Sequence, residues 1–358
     1  MTAGGAAIST SEGALAVFHK SHVPLLDGLR AVAILSVLLY HFGFESVPAD
    51  LGVSLFFVLS GFLVTRGLLS GFERSGAIDV AAFHRRRALR IFPAYYAFLG
   101  LLFIEEFLRG YTWDPWLLAA GLTHTVNYYN AVNGHPPTGI AHLWAVSVLE
   151  QAYVVWPYVL RWVLPSGERA VVKVLLWVVC GILGWRVLAA TVFQMPHAYL
   201  YNALETRLDS LAIGALIAMA IMLRSGMSDL AVPLLRVPPV VTMCLLFVSR
   251  FGGSESYHYM FGFTVESLLL AALALQLVSR YAHVTVSWLD SRPAVFLGQI
   301  SYSVYLWHLL CFGIVNRLGL SESLMRLGMS LVLCVGVGCI SYVLLERAGL
   351  SPIRKTAQ

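Results

Sequence analysis

Long apolar runs, separated by short clusters of glycine, proline and charge, dominate the chain. A helix that crosses the hydrocarbon core of a bilayer needs about 20 mostly apolar residues. Ten such runs are present, at 25–44, 50–70, 88–108, 142–163, 172–193, 204–223, 233–249, 260–279, 294–315 and 325–345. The pattern predicts an all-α, polytopic membrane bundle of about ten transmembrane helices. Residues 25–347 are expected to form one membrane domain, flanked by short tails at 1–24 and 348–358. The first twenty residues are small and polar and lack the basic-then-apolar order of a signal peptide, so a loose cytoplasmic tail is expected there.

Composition agrees with the pattern. Hydrophobic residues make up 58% of the chain and charged residues 12%, with a mean hydropathy of +0.76. A soluble domain carries about 25% charged residues, so lipid must supply part of the solvent. The net charge of +5 is dispersed between apolar runs, which excludes a nucleic-acid partner and records orientation instead. With both termini placed in the cytoplasm, sixteen Lys and Arg, from Lys20 through Arg85–Arg87 to Lys355, fall inside. Only Arg109, Arg250, Arg317 and Arg326 fall outside. The five cysteines all lie in or beside apolar runs without metal-ligand spacing, and are expected as small buried hydrophobes.

Several ionisable residues are left inside the runs: Arg30, His41, Arg90, Glu150, Arg186, Glu205, Arg207, Asp209, Glu266 and His308. A charge at the centre of a spanning helix costs about 2.5–3.5 kcal/mol, so each needs a partner or a task. Arg30 and His41 are eleven residues apart, which on a helix is about 20° of rotation and about 16 Å of rise. They share a face, with Arg30 near the cytoplasmic mouth and His41 deep. His41 suits a general base, yet a packing histidine satisfied by a neighbour fits the same pattern, and Asp27 at i−3 is placed to neutralise Arg30. Arg87 and Arg90 share a face that enters the membrane from the cytoplasmic edge, where a phosphate-bearing ligand would meet two forked donors. An ordinary positive-inside anchor accounts for Arg85 and Arg86 but poorly for Arg90, a turn deeper.

Ser54, Ser60 and Gly61 in the second run serve close helix packing or a site equally well. Ser301, Tyr305 and His308 form a polar stripe at i, i+4 and i+7 in the ninth run, and spacing does not decide between ligand binding and helix contact. The longest outer loop, 109–141, carries Trp113, Trp116, His124, Tyr128, Tyr129 and His135, which suits an interfacial belt or a sugar platform.

These runs closely resemble the bacterial membrane acyltransferase-3 family. The resemblance rests on Asp27-Gly-Leu-Arg30 with His41, on Gly52-Val-Ser-Leu-Phe-Phe-Val-Leu-Ser-Gly-Phe-Leu63, and on Arg87-Ala-Leu-Arg90-Ile-Phe-Pro93-Ala-Tyr95. It continues in family order through His142-Leu-Trp144 with Glu150, Tyr153 and Pro157, then Arg207-Leu-Asp209, the stretch Ser301-Tyr-Ser-Val-Tyr305-Leu-Trp307-His308, and Ser341 with Glu346-Arg347. It covers nearly the whole chain. It implies a multi-pass protein of the cell inner membrane that moves an acyl group, acetyl above all, from acyl-CoA to a hydroxyl of a carbohydrate or glycosylated small molecule. By resemblance His41 matches the essential histidine and acts as general base, with Arg30 and Glu150 beside it. Arg87 and Arg90 match the pair linked to acyl-CoA handling, joined there by Ser60 and Tyr95. His142, Trp144, Arg207, Asp209, Ser301, Tyr305 and His308 are carried to the acceptor site. No metal or resident cofactor is implied; acyl-CoA is the donor substrate, and oligomeric state is left open.

Two departures stand out. Ala145 occupies a position where the family has serine, and Leu149 the position of its glutamate. Glu150 is next door but turned about 80° from His142, so it reaches in through a local bulge or the glutamate role is altered. A transporter or flippase is the competing class, since intramembrane charges also mark pathways. No inverted repeat and no matched pair of broken helices supports it in the sequence.

Overall fold

The structure is a computed structural model that describes residues 16–20, 22–222, 233–279, 284–319 and 323–347. Most of the N-terminal tail and all of the 348–358 tail lie outside the described residues, as do Arg224, Arg280, Arg354 and Lys355 of the charge count. Among the described residues every regular element is helical. In chain order they are α1 Pro24–His41, α2 Ala49–Ser75, α3 Val80–Leu108, α4 Pro115–Leu122, α5 Val126–Asn133, α6 Trp144–Val163, α7 Glu168–Thr191 and α8 His197–Asn202. They continue with α9 Leu208–Met222, α10 Pro239–Gly252, α11 Glu255–Ser279, α12 Arg292–Gln299, α13 Ser301–Asn316 and α14 Leu324–Arg347.

Seven helical stretches are long and apolar enough to cross a bilayer: α1, α2, α3, Ala141–Ser166 around α6, α7, α11 and α14. At 1.5 Å per residue, lengths of about 18–29 residues give about 27–44 Å, which matches a hydrocarbon core of about 30 Å. The chain is therefore a multi-pass membrane protein. Its lipid-facing surface is plain on α7 and α14, where Trp177 is 77% and Val332 75% exposed.

Three of the ten expected spans differ from their apolar runs. The sixth and seventh contain α9 and α10, of only 15 and 14 residues, and a helix of that length covers about 21–23 Å. The polar stretch Glu205–Arg207 turns before α9 begins, and Pro238-Pro239 sets the start of α10, since proline is best accommodated in the first turn of a helix. The ninth run is broken: α12 and α13 meet at Ile300 with a bend of 74°, so it is a broken span or a re-entrant loop. It is the one bent pair among the described residues.

Helices α2 and α9 pack in close contact. A Cβ on Gly61 would stand 2.0 Å from the Leu211 carbonyl oxygen, and one on Gly214 2.0 Å from that of Val58. Two glycines facing opposite backbones let the helices touch, the small-residue contact that replaces hydrophobic driving force in lipid. Beside this seam a polar network is buried. Arg186 donates to Asp209 at 2.7 Å, both fully buried, and Thr264 donates to the same carboxylate at 2.6 Å. Arg186 also reaches the Thr264 hydroxyl. Arg207 donates to Ser54 at 3.0 Å and stacks 3.7 Å above the Phe263 ring.

The 109–141 loop folds into α4 and α5, each of eight residues. Asp114 starts α4 by accepting from the Trp116 amide at 2.9 Å, and its other oxygen accepts from Tyr129 at 2.8 Å. Tyr128 and Tyr199 both donate to Glu205, at 2.9 and 2.5 Å, which satisfies a carboxylate that the apolar run had left alone. His124 stacks on Tyr95 at 4.0 Å, and burial pushes it down to about 4, so it stays neutral. Of the aromatic residues in this loop Trp116, 77% exposed, suits an interfacial belt together with Tyr111 and Tyr128, while Trp113, His124 and Tyr129 pack against the end of the bundle.

Candidate active site

Two cavities enter the bundle from opposite ends. The first, of about 680 Å³, opens where α1 and α3 begin and where α2 turns into α3; the second, of about 710 Å³, opens where α1 ends and α2 begins. They are called the basic and the far cavity below. Arg30 lines the basic cavity and His41 the far one, so the stripe along α1 runs from one to the other.

The basic cavity is lined by five arginines, Arg30, Arg74, Arg86, Arg87 and Arg90, against one carboxylate, Asp79. Asp79 is already engaged, capping α3 by accepting from the Ala82 amide at 2.8 Å. Arg87 is held flat 3.6 Å above the Tyr153 ring, and its Nε lies 3.9 Å from Glu150. Arg30 approaches Asp27 only to 3.8 Å, and the other oxygen of that carboxylate faces His22 at 2.7 Å, so the neutralisation open to Arg30 from sequence is weak. Ser60, Ser301 and Tyr302 lie deeper in the same cavity, with Ala145 and Leu149 on its wall. A wall with five arginines against one carboxylate, and hydroxyls deeper in, suits a phosphate-bearing ligand with a neutral reactive end.

The far cavity has a different balance, with three carboxylates, one arginine and five histidines. At its floor stands His41, half-buried, with His142, Trp144 and Tyr201 in the walls. Burial pushes the Tyr201 phenol upward, so it presents a neutral hydroxyl. His41, His308 and His142 form a chain, with ring centres 4.8 and 4.9 Å apart. Each ring has one nitrogen on a backbone carbonyl: His41 Nδ1 on Val37 at 2.8 Å, His308 Nδ1 on Tyr305 at 2.5 Å, and His142 Nε2 on Leu306 at 3.1 Å. A carbonyl only accepts, so that nitrogen carries the proton in each ring and the other keeps its lone pair. His308 Nε2 and His142 Nδ1 have no hydrogen-bond partner among the described residues. His41 Nε2 is thereby set up as an acceptor beside the far cavity.

Not every residue singled out from sequence reaches a cavity. Glu150 lines neither; α6 runs on without a bulge, Leu149 and Ala145 face the basic cavity, and Glu150 turns toward Arg87. Tyr95, expected with the donor, is fully buried, and its hydroxyl donates to the Gly121 carbonyl at 2.8 Å. Arg207 and Asp209, expected with the acceptor, sit in the core network beside α2 and α11, fully buried. His308 lies behind His41 rather than on the surface of either cavity. Ser301, also expected with the acceptor, opens on the basic side. Tyr305 borders both cavities.

The sequence reading passed over a charged cluster in the wall of the far cavity. Arg250 donates to Asp50 at 3.1 Å, His258 Nε2 meets the other Asp50 oxygen at 3.0 Å, and His258 Nδ1 lies 3.4 Å from Glu266. Asp50, His258 and Glu266 are the metal-ligand types that converge among the described residues. With an imidazolium between two carboxylates, Arg250 brings the formal charge to zero, so the cluster closes as an ion-pair network. Asp50 and Arg250 sit at helix ends, where charge is ordinary. Only the packing of α11, through a π-helical turn at His258–Gly262, sets Glu266 and His258 together.

The chain is 28% identical over 326 residues to the O-acetyltransferase OatA of Staphylococcus aureus (strain NCTC 8325 / PS 47), covering 84% of this chain and 52% of that protein. It is 29% identical over 317 residues to the putative peptidoglycan O-acetyltransferase YrhL of Bacillus subtilis (strain 168), covering 81% and 48%. To the peptidoglycan O-acetyltransferase OatA of Listeria monocytogenes it is 27% identical over 327 residues, covering 81% and 49%. The chain thus spans about half the length of the curated relatives it matches. No solved structure matches it. The acyltransferase-3 family model, described as an acyltransferase domain, matches residues 23–346, and the chain belongs to that family.

Proposed function

We propose that the protein is a membrane O-acetyltransferase that takes acetyl groups from acetyl-CoA in the basic cavity and delivers them to a carbohydrate hydroxyl in the far cavity. The observation that carries this reading is the back-to-back arrangement: an arginine-lined cavity on one side and a lone-pair imidazole on the other, joined by one stripe of α1. Arg87 and Arg90, with Arg74 and Arg86 at the mouth, bind the phosphates of the donor, and the basic end faces the cytoplasm where the thioester is made. The mixed charge of the far cavity favours a hydroxyl-rich acceptor over a polyanion. The relatives' names point to a glycan of peptidoglycan as the first acceptor to try.

In the reaction His41 Nε2 takes the proton of the acceptor hydroxyl as its oxygen attacks the thioester carbonyl. The tetrahedral oxyanion collapses, the carbon–sulfur bond breaks, and the imidazolium returns its proton to the CoA thiolate. Nδ1, fixed on the Val37 carbonyl, keeps the ring in the tautomer that the step needs. General-base catalysis contributes about 10²–10⁴-fold.

The test uses protein in proteoliposomes with acetyl-CoA and muropeptide oligomers, reading CoA release and acetyl-ester formation together. His41→Ala should lose at least about 100-fold in transfer while keeping its gel-filtration profile. Unchanged transfer in that variant removes His41 from the mechanism. Acceptor uptake into vesicles without CoA release would return the protein to the transporter class.

A further inference from the structure

On α13, Ser301 and Tyr302 line the basic cavity and Leu309 lines the far one, while Tyr305 lines both. Residues 301, 305 and 309 are successive turns of one helical face, so this stripe leads from one cavity to the other with Tyr305 at its midpoint. On α2, Ser60 and Phe56 line the basic cavity, Ala49 and Asp50 the far one, and Val53 both. These two stripes are crossed by the same boundary, and Tyr305 and Val53 are the residues the two cavities share. The boundary is therefore a single layer of side chains. Tyr305 is 8% exposed, and its hydroxyl is tied to the His142 carbonyl at 2.5 Å, which holds the ring across the gap.

We propose that Tyr305 is a positioning residue whose ring partitions the donor cavity from the acceptor cavity and must swing aside for acetyl transfer. This rests on the acyltransferase reading above. His41 lies on the far side of the ring, and Arg30 and Ser301 on the near side. A thioester bound among the arginines is then kept from His41, and from the water that His41 activates, until the ring moves. Without the ring, water attacks the thioester carbonyl, the carbon–sulfur bond breaks, and acetate, CoA thiol and a proton are released with no acceptor consumed. Exclusion of water from a reactive group is a general task of such barriers.

The experiment compares Tyr305→Ala and Tyr305→Phe with the unchanged protein in proteoliposomes. Acceptor-independent CoA release should rise about tenfold in Tyr305→Ala, at the expense of transfer. In Tyr305→Phe, which keeps the ring, it should stay near the starting level. Val53→Ala, on the opposite side of the boundary, should show a smaller leak of the same kind. Loss of transfer in Tyr305→Phe without leak in Tyr305→Ala would overturn the partition and make the hydroxyl itself the working group. A second readout needs no chemistry: with the native cysteines replaced, Leu309→Cys is exposed to a membrane-impermeant methanethiosulfonate from the basic side. Labelling should appear only when Tyr305→Ala is added. Labelling with Tyr305 in place, or in neither protein, refutes the partition whether or not acetyl transfer is observed, and absence of transfer with the expected labelling refutes only the acyltransferase reading.

Discussion

The Arg186–Asp209 pair tests whether Asp209 serves the core or a ligand. The two groups are 2.7 Å apart and both fully buried, so at an effective dielectric constant of about 20 their attraction is about 6 kcal/mol. Much of that is offset by taking both charges out of water, and the net effect shows when one partner is removed. Asp209→Asn leaves the Arg186 guanidinium buried, with Nε and Nη1 already lacking partners, and should cost about 3–5 kcal/mol. In a heat challenge followed by gel filtration in detergent, the temperature at which half the monodisperse peak survives should fall by on the order of 10 °C. Arg186→Met combined with Asp209→Leu leaves no orphaned charge and should recover most of the loss. The acceptor KM should not change in whichever variant stays folded. An Asp209→Asn protein with undiminished heat resistance and a raised acceptor KM would show that the carboxylate belongs to the ligand.

Gly214→Ala should destabilise by about 1–3 kcal/mol, because its new methyl group lies 2.0 Å from the Val58 carbonyl oxygen and 2.9 Å from the Phe62 amide. An unchanged heat-challenge midpoint would mean that α2 and α9 do not touch there. His124 gives a pH dependence of known sign. Its folded value of about 4 is below the ordinary 6.5, so its contribution is complete above about pH 6.5 and is lost as pH falls toward 4, on the order of 3 kcal/mol in all. His124→Phe should flatten the fall in thermal stability over that window, and an identical slope in both proteins would exclude His124 as its source.

The helix-rich plan was open to a reader of the sequence because apolar run length is a direct record of bilayer thickness. What was hidden was where a run stops being straight. Nothing in Leu297-Gly-Gln-Ile-Ser301 announces a 74° bend, since a break depends on what packs against it. Helical phase also had real power: it put Arg30 with His41, Arg87 with Arg90, and warned that Glu150 points away from the position of Leu149. It could not sort buried charge into cavity and core. Arg207, Asp209, Arg30 and Arg90 look alike as isolated charges in apolar runs, and only the partners brought by distant helices separate them. Asp209 finds Arg186 and Thr264 at separations of 23 and 55 residues, which no local pattern encodes. The Asp50–His258–Glu266 cluster escaped for the same reason, spread across two helices more than 200 residues apart.

The thin boundary at Val53 and Tyr305 also has an electrical side. A membrane potential falls across whatever excludes water and ions, and two solvent-reaching funnels would compress nearly all of it into that one layer. One elementary charge crossing 100 mV is worth about 2.3 kcal/mol. A proton or a negatively charged leaving group that shifts by only a few ångströms there would feel most of that energy. Turnover in energised vesicles should then respond to voltage.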